Sequence, residues 1–339
     1  MYNVRHCLLS PGSHIRIVTP AFPSAGYVPR RTSRATRLLA ELGYRVSFSE
    51  FSLTVDDDGI SSSRSEQRAS DINSAFADDS VDAVMCSLGG SVSQDLLPHL
   101  DTELIGKNPK VFLGHSDNVY ISSFILTRCS LASYYGTCLL TQFGESPTIL
   151  PETLDWFIRI TTVEGPTTLG PTRTRRTRQR FDWFDPSDEP KERPRDLEAG
   201  WQWVREGSGR GQLIGGELSL IPDLLGIMDG YLEAALLFWD LGVHHEVGHV
   251  ERLFDRLAQR INGLKVEGMI VASNPSYAVE QWADYVGKLI GRHFPDSRFP
   301  VVVGGECGHY DPVWTLPFGE VCHLDSASGL TCRPHQGEV

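Results

Sequence analysis

The chain has 339 residues, a formal net charge of −12 and a pI near 5.4. That length holds one large domain or two ordinary ones, with enough chain for a sizeable core. So acidic a balance argues against nucleic acid as the main partner, because phosphate binding needs basic surface.

Ile15–Pro20 reads as a buried first strand ending at a proline, and Ala21–Pro29 as a loop. Arg31–Leu42 has helical spacing, with Leu38, Leu39 and Leu42 on one side, and Gly43 closes it. A strand is expected at Arg45–Phe51, a helix at Arg64–Phe76 and a third strand at Ala83–Ser87, running into Gly89-Gly90. A fourth strand, Val111–Leu113, runs into Gly114 and Ser116. Alternating strands and helices of this kind indicate a parallel α/β sheet, whose ligands bind beyond the carboxyl ends of the strands. Gly89-Gly90 and Ser116 both lie at such ends.

The middle of the chain changes character. Arg173–Arg180 is strongly basic and Asp182–Glu198 is rich in charge and proline. Residues 165–208 read as a connection between an N-terminal domain, 1–164, and a C-terminal domain, 209–339. Three tryptophans in it, Trp183, Trp201 and Trp203, either dock the connection onto a domain or form a flap that stacks on a substrate. Beyond it, Ile214–Leu218 reads as the start of a helical stretch reaching Leu225, and Ala235–Trp239 as a strand. Val250–Ile261 is an amphipathic helix, Val266–Ala272 a strand and Val279–Ile290 a helix. Val301–Gly304 is the last core strand, delivering Glu306, Gly308 and His309 to its end.

The seven cysteines, Cys7, Cys86, Cys129, Cys138, Cys307, Cys322 and Cys332, form no CxxC pair. Free thiols in a reducing cytoplasm are therefore expected, not a disulfide framework or a zinc site. Met1–Ile17 is broken by Arg5, His6, Pro11, Gly12, His14 and Arg16, so no signal peptide is expected, and no apolar run is long enough for a membrane span. A cytoplasmic location follows as an expectation.

Chemistry concentrates at two strand ends. A serine between strand and helix can expose its hydroxyl while the next backbone N–H faces a developing oxyanion. Gly114-His115-Ser116-Asp117-Asn118 departs from GxSxG at its last position, and a serine there can equally be a helix N-cap. A serine nucleophile needs a base, for which His309 is one candidate. The His244-His245-Glu246-Val247-Gly248-His249 segment is its rival and also offers a metal-site reading, weakened by Gly242 and Gly248.

Taken in order, several segments resemble the LD-carboxypeptidase and microcin C self-immunity family of serine peptidases. They include Gly12–Ala21, Leu88-Gly89-Gly90, Gly114–Asp117, Phe143-Gly144-Glu145, Gly211–Leu218, Gly308-His309 and Leu316–Gly319. Phe143-Gly144-Glu145, Leu154–Phe157 and the tryptophan-bearing connection are closer to the immunity branch. The resemblance implies two α/β domains, the C-terminal one smaller, with the active site in the cleft between them. It implies a Ser-His-acid triad with Ser116 as nucleophile, His309 as base and Asp240 where the family carries glutamate. Glu246 and Glu306 remain alternatives for that carboxylate. The backbone N–H groups of Gly90 and Asp117 would form the oxyanion hole. Gly89, Glu217, Trp183, Trp201 and Trp203 would contact a small peptide or peptidyl-nucleotide substrate. Glu217 stands where the family usually has asparagine. No metal or organic cofactor and a homodimer are implied. Hydrolysis of an amide beside a free carboxylate is the activity implied. Acyl transfer to an amine and a non-catalytic binding role on the same scaffold are the alternatives.

Overall fold

A computed structural model describes residues 4–177, 187, 190–242, 247–261 and 263–333. The chain divides into two compact units, one of Tyr2–Thr162 with Gln179–Arg193 and the other of Val163–Arg178 with Pro194–Val339.

The N-terminal unit is an α/β layer. Its strands are β1 (His14–Val18), β2 (Arg45–Phe48), β3 (Ala83–Cys86), β4 (Val111–Gly114) and β5 (Ser133–Tyr135). They lie side by side as β5-β4-β3-β1-β2, all parallel. Parallel neighbours need crossovers, and helices supply them: α1 (Ser24–Tyr27), α2 (Pro29–Glu41), α3 (Ser65–Ala77), α4 (Thr102–Lys107) and α5 (Val119–Cys129), while α6 (Pro151–Thr162) follows β5. Pro29 opens α2, where its missing N–H costs nothing, and Gly43 follows its end at φ +90°. Asp101 caps α4 by accepting from the Leu104 N–H at 2.9 Å. Covered on both faces, β3 and β4 are wholly buried, as a central parallel strand should be. Their side chains join Ile72, Phe76, Ile121 and Ile125 in one core.

The C-terminal unit is built on an eight-stranded sheet, ordered β6-β16-β15-β10-β11-β12-β13-β9. The strands are β6 (Thr167–Leu169), β9 (Gln202–Arg205), β10 (Ser208–Glu217), β11 (Ala234–Asp240), β12 (Lys265–Ala272), β13 (Val301–Gly305), β15 (Val321–Asp325) and β16 (Gly329–Cys332). Four central strands, β10 to β13, run parallel, and antiparallel strands flank them. Helices α7 (Ile221–Ile227), α8 (Val247–Arg260) and α9 (Val279–His293) connect the parallel strands. A short ribbon pairs β7 (Arg176–Thr177) with β8 (Arg195–Leu197), and β14 (Leu316–Phe318) precedes the last hairpin.

The expected helix from Ile214 to Leu225 is corrected. Residues up to Glu217 continue β10, and the helix begins only at Ile221, with Pro222 in its first turn. Gly215 and Gly216 explain the difference, since glycine is a poor helix former and here allows an unusually close strand approach. A Cβ at Gly215 would lie 1.8 Å from the Phe238 carbonyl oxygen. Residues 165–208 also carry more structure than a plain connection, supplying β6, β9 and the β7–β8 ribbon.

Candidate active site

In the N-terminal unit, β4 ends in a turn that leaves Ser116 as the one residue of 111–120 not buried. Its φ is +55°, a left-handed conformation that a non-glycine residue adopts at a cost of about 1–3 kcal/mol. Two glycines make room for the turn. A Cβ at Gly114 would lie 2.7 Å from that of Asn118, and one at Gly89 would lie 2.8 Å from that of Ser116. The loop after β3 therefore packs directly on the serine. Gly90 is equally confined, with the Phe22 nitrogen 2.7 Å from where a Cβ would be.

Polar bonds fix this arrangement. The Asp117 carboxylate accepts from the Ser93 N–H at 2.8 Å and from its hydroxyl at 2.6 Å, tying the Gly89-Gly90 loop to the turn. Burial pushes the Asp117 carboxyl upward in pKa, opposed by the Ser93 bonds and by Arg68. Asn118 donates to the Ser93 hydroxyl at 3.3 Å and accepts from the His115 N–H at 3.3 Å. The structure thus brings together Gly89, Gly90, Ser116 and Asp117, and adds Ser93 and Asn118, which sequence reasoning missed. Asn118 was visible as the departure from GxSxG.

In the C-terminal unit, β11 ends at Asp240, which is buried. Its Oδ1 lies 2.6 Å from Nδ1 of His309 and also accepts from the Gly242 N–H at 2.5 Å. A carboxylate accepts, so this contact favours the neutral tautomer with the proton on Nδ1 and the lone pair on Nε2. One oxygen of Asp240 therefore meets both the His309 ring and the backbone of the turn at Gly242. Gly308 permits the approach, since a Cβ there would lie 2.9 Å from that of Asp240.

Glu306 is engaged elsewhere. It accepts from Arg176 at 2.6 Å, from the Thr172 N–H at 2.9 Å and from the Trp201 indole at 3.1 Å. Glu246 lies outside the described residues, as do His244, His245 and Trp183. His249 is 3.4 Å from Arg252, and among the described residues no three histidine, cysteine, aspartate or glutamate side chains come together as metal ligands would. Glu217 stands in register opposite Asp240, and the Ser219 hydroxyl donates to it at 2.9 Å. Partners in register on parallel strands share a face. Trp201 and Trp203 are half-buried and packed edge to face at 6.1 Å, and Trp201 also packs on Trp314 at 5.5 Å. Burial, with the nearby Asp240 and Glu306 carboxylates, pushes the Cys307 thiol well up, which disqualifies it as a nucleophile. Among the described residues no helix is long and apolar enough to cross a membrane.

The N-terminal unit thus presents a serine on a strained strand-end turn, and the C-terminal unit a carboxylate-bound histidine beyond another strand end. Residues 15–136 match the LD-carboxypeptidase N-terminal domain and residues 210–324 its C-terminal domain. The chain belongs to the LD-carboxypeptidase family, peptidase S66. It is 26% identical over 324 residues to the microcin C7 self-immunity protein MccF of Escherichia coli, covering 94% of this chain and 92% of that one. It is 24% identical over 327 residues to a Bacillus subtilis protein named as a murein peptide carboxypeptidase, covering 96% and 92%. Among solved structures, MccF in complex with aspartyl sulfamoyl adenosine superposes with a TM-score of 0.84 at 23% identity, over 98% of both chains. An MccF-like protein from Bacillus anthracis does so with a TM-score of 0.84 at 24% identity, over 98% and 100%. MccF has also been solved with glutamyl sulfamoyl guanosine.

Proposed function

We propose that the protein hydrolyses an amide bond beside a free carboxylate, in a small peptide or a peptidyl- or aminoacyl-nucleotide, through an acyl-enzyme on Ser116. The observation that carries this reading is the 2.6 Å bond between His309 Nδ1 and Asp240 Oδ1, which leaves Nε2 able to take a proton. His309 removes the Ser116 proton as the hydroxyl attacks the carbonyl, and returns it to the leaving amine. Water, activated by the same ring, then releases the acyl group. The N–H groups of Gly90 and Asp117 stabilise the oxyanion, each donor being worth about 3 kcal/mol of barrier.

The nucleotide arm of the proposal draws on MccF, whose solved complexes hold aminoacyl sulfamoyl nucleosides. Trp183, Trp201 and Trp203 are the candidates to stack on a base, a contact typically worth about 1–3 kcal/mol. Glu217, on the same sheet face as Asp240, adds negative charge beside the acyl group and disfavours an acidic one. Purified protein incubated with peptidyl- and aminoacyl-nucleotides and with murein-type peptides, with and without an added amine, tests the reading. Hydrolytic products that disappear in Ser116→Ala, a variant expected to lose about 10⁴–10⁶-fold in rate, support it. An amide product formed only with the amine redirects it to acyl transfer. Wild-type activity in Ser116→Ala overturns the mechanism.

A further inference from the structure

We propose that Arg176 is a positioning residue for His309, acting through Glu306 on the loop that carries the ring. This rests on the reading of His309 as the catalytic base. His309 stands between Glu306 and Asp311, and β7 grips that loop on both sides. On one side Arg176 donates to Glu306 at 2.6 Å and also to the Gly304 carbonyl and the Ser273 hydroxyl. On the other, the Thr177 N–H donates to the Asp311 carbonyl at 2.8 Å, with its hydroxyl on the same oxygen at 3.3 Å.

The loop needs such a grip. Gly304, at φ +96°, and Gly305 close β13, and residues 306–315 beyond them, Gly308 included, form no helix or strand of their own. The Asp240 bond fixes one ring nitrogen but not the backbone from which the ring projects. Glu306 distributes the hold, since its two oxygens collect Arg176, Thr172 and Trp201, while its own carbonyl accepts from the Trp314 N–H at 2.7 Å. Both members of the ion pair are almost completely buried, at 2% and 0% side-chain exposure. A buried ion pair is often no more stabilising than well-packed apolar residues of similar volume. A role in holding geometry therefore accounts for it better than a role in stability.

That distinction sets the experiment. The double variant Arg176→Met/Glu306→Leu removes both charges together, so neither is left buried alone. Thermal unfolding, kcat, KM and the NMR resonance of the His309 Nδ1 proton are measured against the wild type. The expected result is a folded protein with kcat lower by about 10²-fold, KM changed less than about threefold, and a displaced or broadened Nδ1 signal. Arg176→Lys, which keeps the charge, is expected to fold and lose about tenfold in kcat with a smaller change in the same signal. A folded double variant with wild-type kcat and an unchanged resonance overturns the proposal. So does Arg176→Lys with both unchanged, should the double variant fail to fold. If the wild type turns over no substrate, the functional reading falls, while the resonance still decides whether Arg176 positions the ring.

Discussion

Ser116 and His309 each follow a buried parallel strand, one in the N-terminal unit and one in the C-terminal unit, yet they are held by different means. Ser116 is set by backbone. Its φ is +55°, and Gly89 and Gly114 leave no room for a side chain between the neighbouring loop and the turn. His309 is set by side chains, with Asp240 on the ring and the Arg176–Glu306 pair on its loop. The first region should therefore fail when atoms are added, and the second when charge or hydrogen bonding is altered at constant size.

Asp240→Asn changes almost no volume and gives the largest effect expected from this contrast. The amide no longer enforces the Nδ1–H tautomer, so kcat should fall by about 10⁴-fold with KM little changed. Steady-state kinetics check it, and near-normal kcat would mean that Asp240 only caps the turn at Gly242.

Gly89→Ala is the complementary test, since it adds one methyl and no charge. That methyl would lie 2.8 Å from the Ser116 Cβ and 3.0 Å from the His115 carbonyl oxygen, so the serine or the loop must shift. A shift of this kind should cost about 10²-fold in kcat/KM. Circular dichroism and kinetics on the same preparation separate it from misfolding. An active Gly89→Ala would remove the idea that backbone crowding fixes the nucleophile.

Glu217→Gln probes the charge of the C-terminal region at lower stakes. Among the described residues no cation pairs with Glu217. A partly exposed charge contact is worth roughly 1 kcal/mol, so the preference for a lysyl over a glutamyl substrate should drop about fivefold. Competition between the two substrates in one reaction measures this directly. An unchanged ratio would place Glu217 outside the acyl-binding region.

Much of this was legible in the sequence, and what was not has a common cause. The Val111–Leu113 strand, its glycine and the serine after it form a local pattern, as does the apolar run that ends at Asp240. Choosing between Asp240 and Glu306 was not local. Both flank apolar strands, and only tertiary bonding shows Glu306 taken by Arg176, Thr172 and Trp201. Arg176 itself was hidden in the basic run 173–180, where position on the chain says nothing of burial. The strand through Glu217 was misread because a Gly-Gly pair carries little periodicity of its own. Its neighbour β11 decides the matter by accepting glycine where no side chain fits.

The smallest expected effect separates stability from catalysis, and lies in the N-terminal unit at Asp71. This buried carboxylate accepts from the Phe51 N–H at 3.0 Å, and burial raises its pKa to about 6, with Glu50 adding to the rise and Arg16 opposing it. By contrast Glu306 and Glu145 are buried against arginines. The folded protein therefore holds a proton at Asp71 through a pH range in which the unfolded chain has lost it. Stability from this group is fully present below the ordinary aspartate range, near pH 4, and is lost as pH rises toward about 6. Because the group is not fully enclosed, the loss should be on the order of 1 kcal/mol after allowance for solvent screening. Asp71→Asn keeps the acceptor for Phe51 and removes the titration. Denaturant unfolding of both proteins at pH 4.5 and pH 7.5 should show the variant gaining on the wild type at the higher pH, with kcat/KM unchanged. Parallel stability curves would mean that water reaches Asp71 more freely than its burial indicates. A matching change in kcat/KM would mean that α3 and the serine turn are coupled.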